Sequence, residues 1–438
     1  MTVETTTGRQ HLYLIVVCSA ALASRLLLDG IQITPDGNHY LHVAHNLASN
    51  LSLGAPGWEG LHQPPGYPLF IAAVGLLFGF APLNVVVAQS VIFSLALWYL
   101  LLCAARLKPN FILLILSGLA IALSPSIIGI SRWIFTETLA SAATLWLLAE
   151  CCNSMSTRRI STLRTSAAIA ACVLIRWDMI WTVVLLAVVA YWLYAPREAI
   201  KKWFLICSLS FIPYAALAIR AVLLGITIVP STLIATSEEV PEGVVSFWRT
   251  TAVSQSATSN FLWAVWGRQY KKVLQDPNSF FLEDPGRYSS LFESLASLPD
   301  GKPVPPELDS AFSEAARRIS IEGGIEHRLK ILGLRIYNLW VSDDRVFKWF
   351  YLTDAQPYTA LQKLARYERI FYLCLLFLCV AFTMCKTYRV LATAVLLMVM
   401  ARTVFLALFT ALEIRYFVAL LPSIQFAAIA LWSRREKV

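Results

Sequence analysis

GYPLFIAAVGLLFGFAPLNVVVAQSVIFSLALWYLLLCAAR, Gly66 to Arg106, is the stretch whose reading decides the fold. It is long enough for two helical membrane crossings, since each needs about 20 apolar residues to pass a hydrocarbon core roughly 30 Å thick. Two crossings would return Arg106 and Lys108 to the side from which the stretch started. Lys and Arg in short loops stay cytoplasmic. The arrangement that obeys this rule makes Gly66 to Phe80 a helix lying in or dipping into the outer interface, and about 83 to 104 a single span running inward.

Working outward with the same rule gives about ten crossings, with both termini cytoplasmic. Helix 1 covers about 11 to 28, and a first extracytoplasmic loop covers 29 to 66. Ala21-Leu22-Ala23 has the form of a signal-peptidase site, but the topology balances with this run kept as an uncleaved anchor. Helix 3 (about 111 to 124) runs out to the Ser124-Pro125-Ser126 turn, and helix 4 (about 134 to 151) returns to Arg158, Arg159 and Arg164. Helix 5 (about 162 to 175) reaches Arg176-Trp177-Asp178 outside, and helix 6 (about 179 to 195) returns to Arg197, Lys201 and Lys202. Helix 7 (about 203 to 223) leads out to a polar segment, and helices 8 (about 368 to 385), 9 (about 390 to 411) and 10 (about 417 to 432) close the chain. The expected fold is thus an all-α polytopic membrane protein with a small α-rich extracytoplasmic domain. Residues 1–224 form a membrane module, 225–366 the polar domain with helical pieces at Glu307–Ile321 and Ile325–Trp340, and 367–438 the last three spans.

Composition agrees with this class. Of 438 residues 58% are hydrophobic and 14% charged, and the mean hydropathy is +0.63, outside the range of soluble domains. The net charge of +9 is dispersed among short loops rather than gathered in one nucleic-acid-binding patch. All nine cysteines lie in or beside apolar runs, which argues against a disulfide framework or a cysteine metal site. There is no internal repeat of the kind on which many transporters are built.

The candidate chemistry gathers on the outer side. The first loop, TPDGNHYLHVAHNLASNLSLGAPGWEGLHQPPGYP (Thr34 to Pro68), carries Asp36, His39, Tyr40, His42, His45, Glu59 and His62. Asp36 and Tyr40 share a helix face, with His39 close by. Asp36 has two readings, a helix cap or a catalytic carboxylate. Histidines at steps of three drift around a helix, so a solvated or headgroup-facing row is a better reading of 39, 42 and 45 than a divalent metal site. Glu137, entering an apolar helix, is a functional candidate by cost alone, the alternatives being a pair with Arg132 or capping by its neighbouring threonines. Arg402 lies within an apolar span and must face the bundle interior or a wet cavity, the alternative to a functional role being a structural ion pair. Arg176, with Asp178 two residues on, and Arg415, after Glu413, are also suited to an anionic phosphate. Asp343-Asp344 has the form of a metal-binding acidic pair, a form common by chance.

The order Pro35-Asp36-Gly37, Tyr40, Ala44, Asn46-Leu47, then Gln63-Pro64-Pro65-Gly66-Tyr67-Pro68-Leu69-Phe70 and Leu77-Phe78-Gly79, resembles the glycosyltransferase-C superfamily. The nearest look is to protein O-mannosyltransferases and the lipid A aminoarabinose transferase. Thr136-Glu137-Thr138-Leu139, Leu174-Ile175-Arg176 and Glu413-x-Arg415-Tyr416 with Leu421-Pro422 extend the resemblance across the membrane part. It departs at Gly37, where many relatives have a second carboxylate, and residues 225–366 match no family pattern.

The resemblance implies a bacterial inner-membrane enzyme that moves a sugar from a polyprenyl-phosphate donor to an extracytoplasmic protein, lipid or glycan, with inversion and no required cofactor. On it, Asp36 is the base, and Glu137 orients acceptor or sugar. Arg176, Arg415, Arg402 and Arg132 serve the donor phosphate, and His39, Tyr40, His62, Tyr67 and Tyr416 the substrates. A lipid or glycan transporter is the alternative from another class. The topology predicts that a cysteine introduced at Gly60, in a background stripped of reactive thiols, is labelled by an impermeant reagent from outside intact cells. Labelling only after permeabilisation would overturn the scheme.

Overall fold

The structure, a computed structural model, describes residues 8–27, 30–50, 64–223, 241–254, 257–275, 280–282, 285–340, 372–378, 389–409 and 418–430. Glu59, His62, Asp343, Asp344, Glu413, Arg415, Tyr416 and most of the expected eighth helix lie outside the described residues. Among those described there are helices, turns and two isolated bridges, Gln32 with Trp133 and Ala252 with Phe280, but no strands. The chain divides into two compact units. The first comprises residues 1–229, 350–402 and 416–438, and the second 230–349 and 403–415.

The first unit opens with α1 (Gly8–Leu26), α2 (Pro35–Asn50), α3 (Gly66–Phe78) and α4 (Pro82–Ala105). At 1.5 Å per residue the 13-residue α3 is about 20 Å long, short of the hydrocarbon thickness. Gly79 ends it at φ 89°, a conformation that favours glycine. Then follow α5 (Phe111–Ala122), α6 (Pro125–Ser131), α7 (Glu137–Thr157) and α8 (Thr162–Ile175). A 3₁₀ turn (Trp177–Trp181) leads into α9 (Thr182–Leu193), and α10 (Pro196–Leu223) follows. Among the described residues two helices are long and apolar enough to cross a membrane, Pro82–Ala105 and Val390–Leu408, and the bent pair α5 and α6 would make a third.

Three boundaries depart from the expected ones for local reasons. Between the expected helices 3 and 4 the turn is not a simple reversal. Ser124 caps α6, its hydroxyl accepting from the Ile127 amide, Pro125 takes the first helical position, and α6 continues at 43° to α5. The main helix then starts at Glu137 rather than near 134. Arg197, Lys201 and Lys202 lie on α10 itself, because Pro196 starts that helix seven residues before the expected position.

Helix α7 is almost wholly buried and rich in Ala, Ser and Thr, and it packs along α4. Small side chains allow that close approach. Three hydroxyls in these apolar helices bond back to carbonyls one turn earlier, Ser90 to Val86, Ser94 to Ser90 and Thr144 to Ala140, so these three need no water.

The second unit holds α11 (Glu242–Thr251), a short helix Ser289–Ala296 and the long helix Pro306–Trp340. The two helical pieces expected in this region are its halves, separated at Gly324, whose φ of 54° and ψ of −145° break the helix. Phe247, Phe261, Phe280, Phe292 and Phe312 form its aromatic core, with ring centroids 5.3 to 6.5 Å apart. Gly243 lies against the Asp309 carbonyl where a Cβ would clash, and the Asp309 carboxylate accepts from the Val244 amide at 3.0 Å, capping α11.

Buried Arg335 closes the other end of α11. Its guanidinium donates to the carbonyls of Ala252 at 2.8 Å, Arg249 at 3.0 Å and Trp248 at 3.4 Å, and to that of Ala407 at 3.0 Å. Burial pushes this guanidinium down to about 10, with Arg249 adding to the effect, so it remains charged at neutral pH. Arg335→Met would strip buried carbonyls of their donor, and should lower stability by about 3 kcal/mol. Arg287→Met, which breaks the exposed pair with Glu322, should cost under about 1 kcal/mol. Thermal unfolding of the full-length protein in detergent measures both, and equal shifts would contradict the packing described.

Candidate functional site

The first unit brings together chain segments far apart in sequence around the start of α7. The approach to α2 is clamped first. Gln32 pairs with the segment 132–134, its amide donating to the Arg132 carbonyl at 3.1 Å and its carbonyl accepting from the Ile134 amide at 3.2 Å. Arg132 donates to the carbonyls of Gly30 and Arg25 at 3.0 and 3.1 Å, which holds the α1–α2 connection; Glu137 takes a different partner.

Thr34, not Asp36, caps α2: its hydroxyl oxygen accepts from the Gly37 amide at 3.1 Å. With Pro35 at the first helical position, Asp36 occupies the second, half-buried, and capping does not require its carboxylate. Gly37 sits beside Ile134, where a Cβ would come within 3.0 Å of the carbonyl oxygen.

The Pro64-Pro65-Gly66 turn presents α3 in the same way. A Cβ on Gly66 would lie 2.6 Å from the Leu174 carbonyl oxygen, so the start of α3 abuts the last turn of α8, two residues from Arg176. Buried Tyr67 follows, edge-on to Tyr40 at a centroid distance of 5.0 Å. Its hydroxyl donates to Gln89 Oε1 at 3.1 Å, and Gln89 Nε2 donates to the carbonyls of Ser131 at 2.7 Å and Trp133 at 3.0 Å. Gln89 had no role in the sequence reading. A fully buried carboxamide inside an apolar 24-residue helix was the available signal.

The charged groups form one buried network. Arg176 Nη1 donates to Glu137 Oε1 at 2.8 Å and to the Thr136 hydroxyl at 3.0 Å, while its Nε donates to Asp178 Oδ1 at 2.9 Å. Arg402 donates from Nε at 3.1 Å and from Nη2 at 2.5 Å to Asp178 Oδ2. Glu137 is 1% exposed, Asp178 1% and Arg402 0%, so two carboxylates and two guanidiniums balance in a nearly dry interior. Burial pushes the Asp178 carboxyl up, but Arg176 and Arg402 outweigh it and hold it at about 2. Among the described residues Arg402 Nη1 is the one nitrogen of that guanidinium without a hydrogen-bond partner.

His39 is half-buried beside Tyr40, whereas His42 is exposed and His45 stacks on Phe80 at 3.9 Å. Among the described residues no group of three or more His, Cys, Asp or Glu side chains is placed to hold a metal ion. His62, Arg415 and Tyr416 lie outside the described residues. Val418, two residues after Tyr416, has a carbonyl that accepts from the Ser141 hydroxyl of α7 at 3.4 Å.

No family model and no curated protein matches the chain. One solved structure, ArnT from Cupriavidus metallidurans bound to undecaprenyl phosphate, aligns over 97% of this chain and 78% of its own, at 12% identity and a TM-score of 0.41. A likeness that loose carries no argument about chemistry.

Removing one member of the network strands the others. Asp178→Asn should destabilise the protein by about 3–5 kcal/mol, because two buried guanidiniums would then face a single carboxylate. Adding Arg402→Met to that variant should recover part of the loss, a coupling that a double-mutant cycle on thermal unfolding reads directly. The native carboxyl titrates near 2, below its usual value of about 3.9. Its contribution is therefore present above pH 4 and is lost as pH falls toward 2.

Proposed function

We propose that this protein is a membrane glycosyltransferase that moves a sugar from a polyprenyl-phosphate donor to an extracytoplasmic acceptor, with Asp36 as the base. The observation that carries the reading is the first turn of α2. Thr34 does the capping, and the turn is held beside Ile134, three residues before the buried network begins at Glu137.

In the proposed step the acceptor hydroxyl oxygen attacks the anomeric carbon as the bond to the lipid phosphate breaks. Asp36 takes the hydroxyl proton, and the phosphate leaves as an anion that needs none. One carboxylate is enough, unlike the acid and base pair of a glycosidase. Charge that builds on the leaving phosphate calls for cationic donors. Arg176 and Arg402 are held by carboxylates, so their part is to supply the positive ends of a fixed network, with Arg402 Nη1 as a remaining donor. Arg132 and Arg415 complete the proposed phosphate set, and Tyr40, Tyr67, His39, His62 and Tyr416 the substrate surface. Glu137, paired with Arg176, acts by orienting that guanidinium. Ten crossings, cytoplasmic termini and a bacterial inner-membrane location belong to the same proposal.

The transporter reading has one feature in its favour, the apolar helix broken between Ala122 and Pro125. An assay separates the two. Asp36→Asn should lower the rate of sugar transfer from polyprenyl-phosphate donors to cell-envelope acceptors by about 10²–10⁴-fold, with an unchanged melting transition. Full activity in that variant would remove Asp36 as the base. Flux of lipid-linked sugar across vesicles without any transfer would instead favour transport.

A further inference from the structure

At the end of α7 opposite Glu137, four chain segments are knitted into one surface. Arg106, after α4, donates to Asn153 at 2.7 Å, and Arg164 on α8 lies 3.6 Å from the buried Glu150. The Ile160 amide donates to the Tyr194 hydroxyl at 2.9 Å, tying the α7–α8 connection to the α9–α10 junction. Lys202 on α10 donates to Thr162 at 2.6 Å. These bonds gather Arg106, Arg158, Arg159, Arg164, Arg197 and Lys201, all exposed, and the only exposed carboxylate among residues 105–110, 154–164 and 191–205 is Glu198.

Large apolar side chains stand exposed among these cations. Leu163 is 78% exposed, Ile200 65% and Phe204 66%, and Trp192 carries the Arg158 guanidinium over its ring at 4.5 Å. A nucleic acid or an acidic protein would satisfy the charges but make no use of those apolar groups, two of which, Leu163 and Phe204, begin the expected spans 162–175 and 203–223. A lipid satisfies both, with acyl chain on Leu163, Ile200 and Phe204 and phosphate on the cations.

We propose that this face is a binding site for anionic phospholipid, with the headgroup phosphate held between the α7–α8 connection and the start of α10. The site is separate from the glycosyl-transfer reading and stands without it. A lipid there would also neutralise cations that otherwise repel one another across the ends of α4, α7, α8 and α10.

Native mass spectrometry of the full-length protein, released from nonionic detergent with phosphatidylglycerol or phosphatidylcholine of matched acyl chains, tests this. Wild type should retain phosphatidylglycerol preferentially. Each of Arg159→Gln, Arg197→Gln and Lys201→Gln should reduce that preference about fivefold, the effect of about 1 kcal/mol per basic residue at a membrane surface. Arg159→Lys should keep the preference, as should Arg318→Gln in the second unit, and Phe204→Ser should lower retention of both lipids. Equal retention of the two lipids by wild type, or a preference that survives the triple Gln variant, would overturn the proposal. So would loss of bound phosphatidylglycerol to inorganic phosphate alone, or stronger binding of a polyglutamate peptide.

Discussion

Glu137, Arg176, Asp178 and Arg402 are each tolerable in a dry interior only because the others are there. An isolated charge so buried would carry a solvation penalty of several kcal/mol, and only close, hydrogen-bonded partners offset it. The four come from the start of α7, the end of α8, the 3₁₀ turn and the helix Arg389–Phe409. Their pairing therefore fixes the relative positions of those elements more sharply than apolar packing would, since apolar side chains slide past one another at little cost. Asp178 is the hinge of the arrangement: one carboxylate serves two guanidiniums that lie 226 positions apart in the chain.

Around that fixed centre the polar contacts are directional. Gln89 reads a hydroxyl on α3, the last carbonyl of α6 and the Trp133 carbonyl in the segment before α7, and that segment in turn holds Gln32 and the approach to α2. Asp36 is thus located by a relay of hydrogen bonds that begins inside α4. The glycines at 37 and 66 belong to the same design, because each allows a helix start to approach a neighbouring backbone more closely than any side chain permits.

Much of this was legible in the chain. Apolar run lengths located the helices, and the halves of the long helix on either side of Gly324 were separately visible in their own patterns. Pro125, with Ser124 capping ahead of it, and Pro196 carry the signals for two of the displaced boundaries, since proline favours the first position of a helix. Thr34-Pro35 is the same signal, and it was passed over in favour of Asp36 as the cap. What could not be read was pairing. Glu137 has Arg132 five residues away and takes Arg176 instead, and nothing in linear spacing tells Arg402 that its partner is Asp178. Those choices are made by how the helices stack, and stacking is not written in any one window of sequence.

The position of Gln89 on α4 has a consequence for how the chain can vary in length. Each residue turns a helix by about 100°, so one residue inserted between Pro82 and Gln89 would carry the carboxamide a quarter-turn or more away from Tyr67 and the 131–133 carbonyls. The same insertion beyond Ala105, in the connection to α5, would leave that register untouched. Length changes among natural variants of this chain should accordingly collect in the connections after α4, and the seven positions leading to Gln89 should keep their count even where their side chains drift.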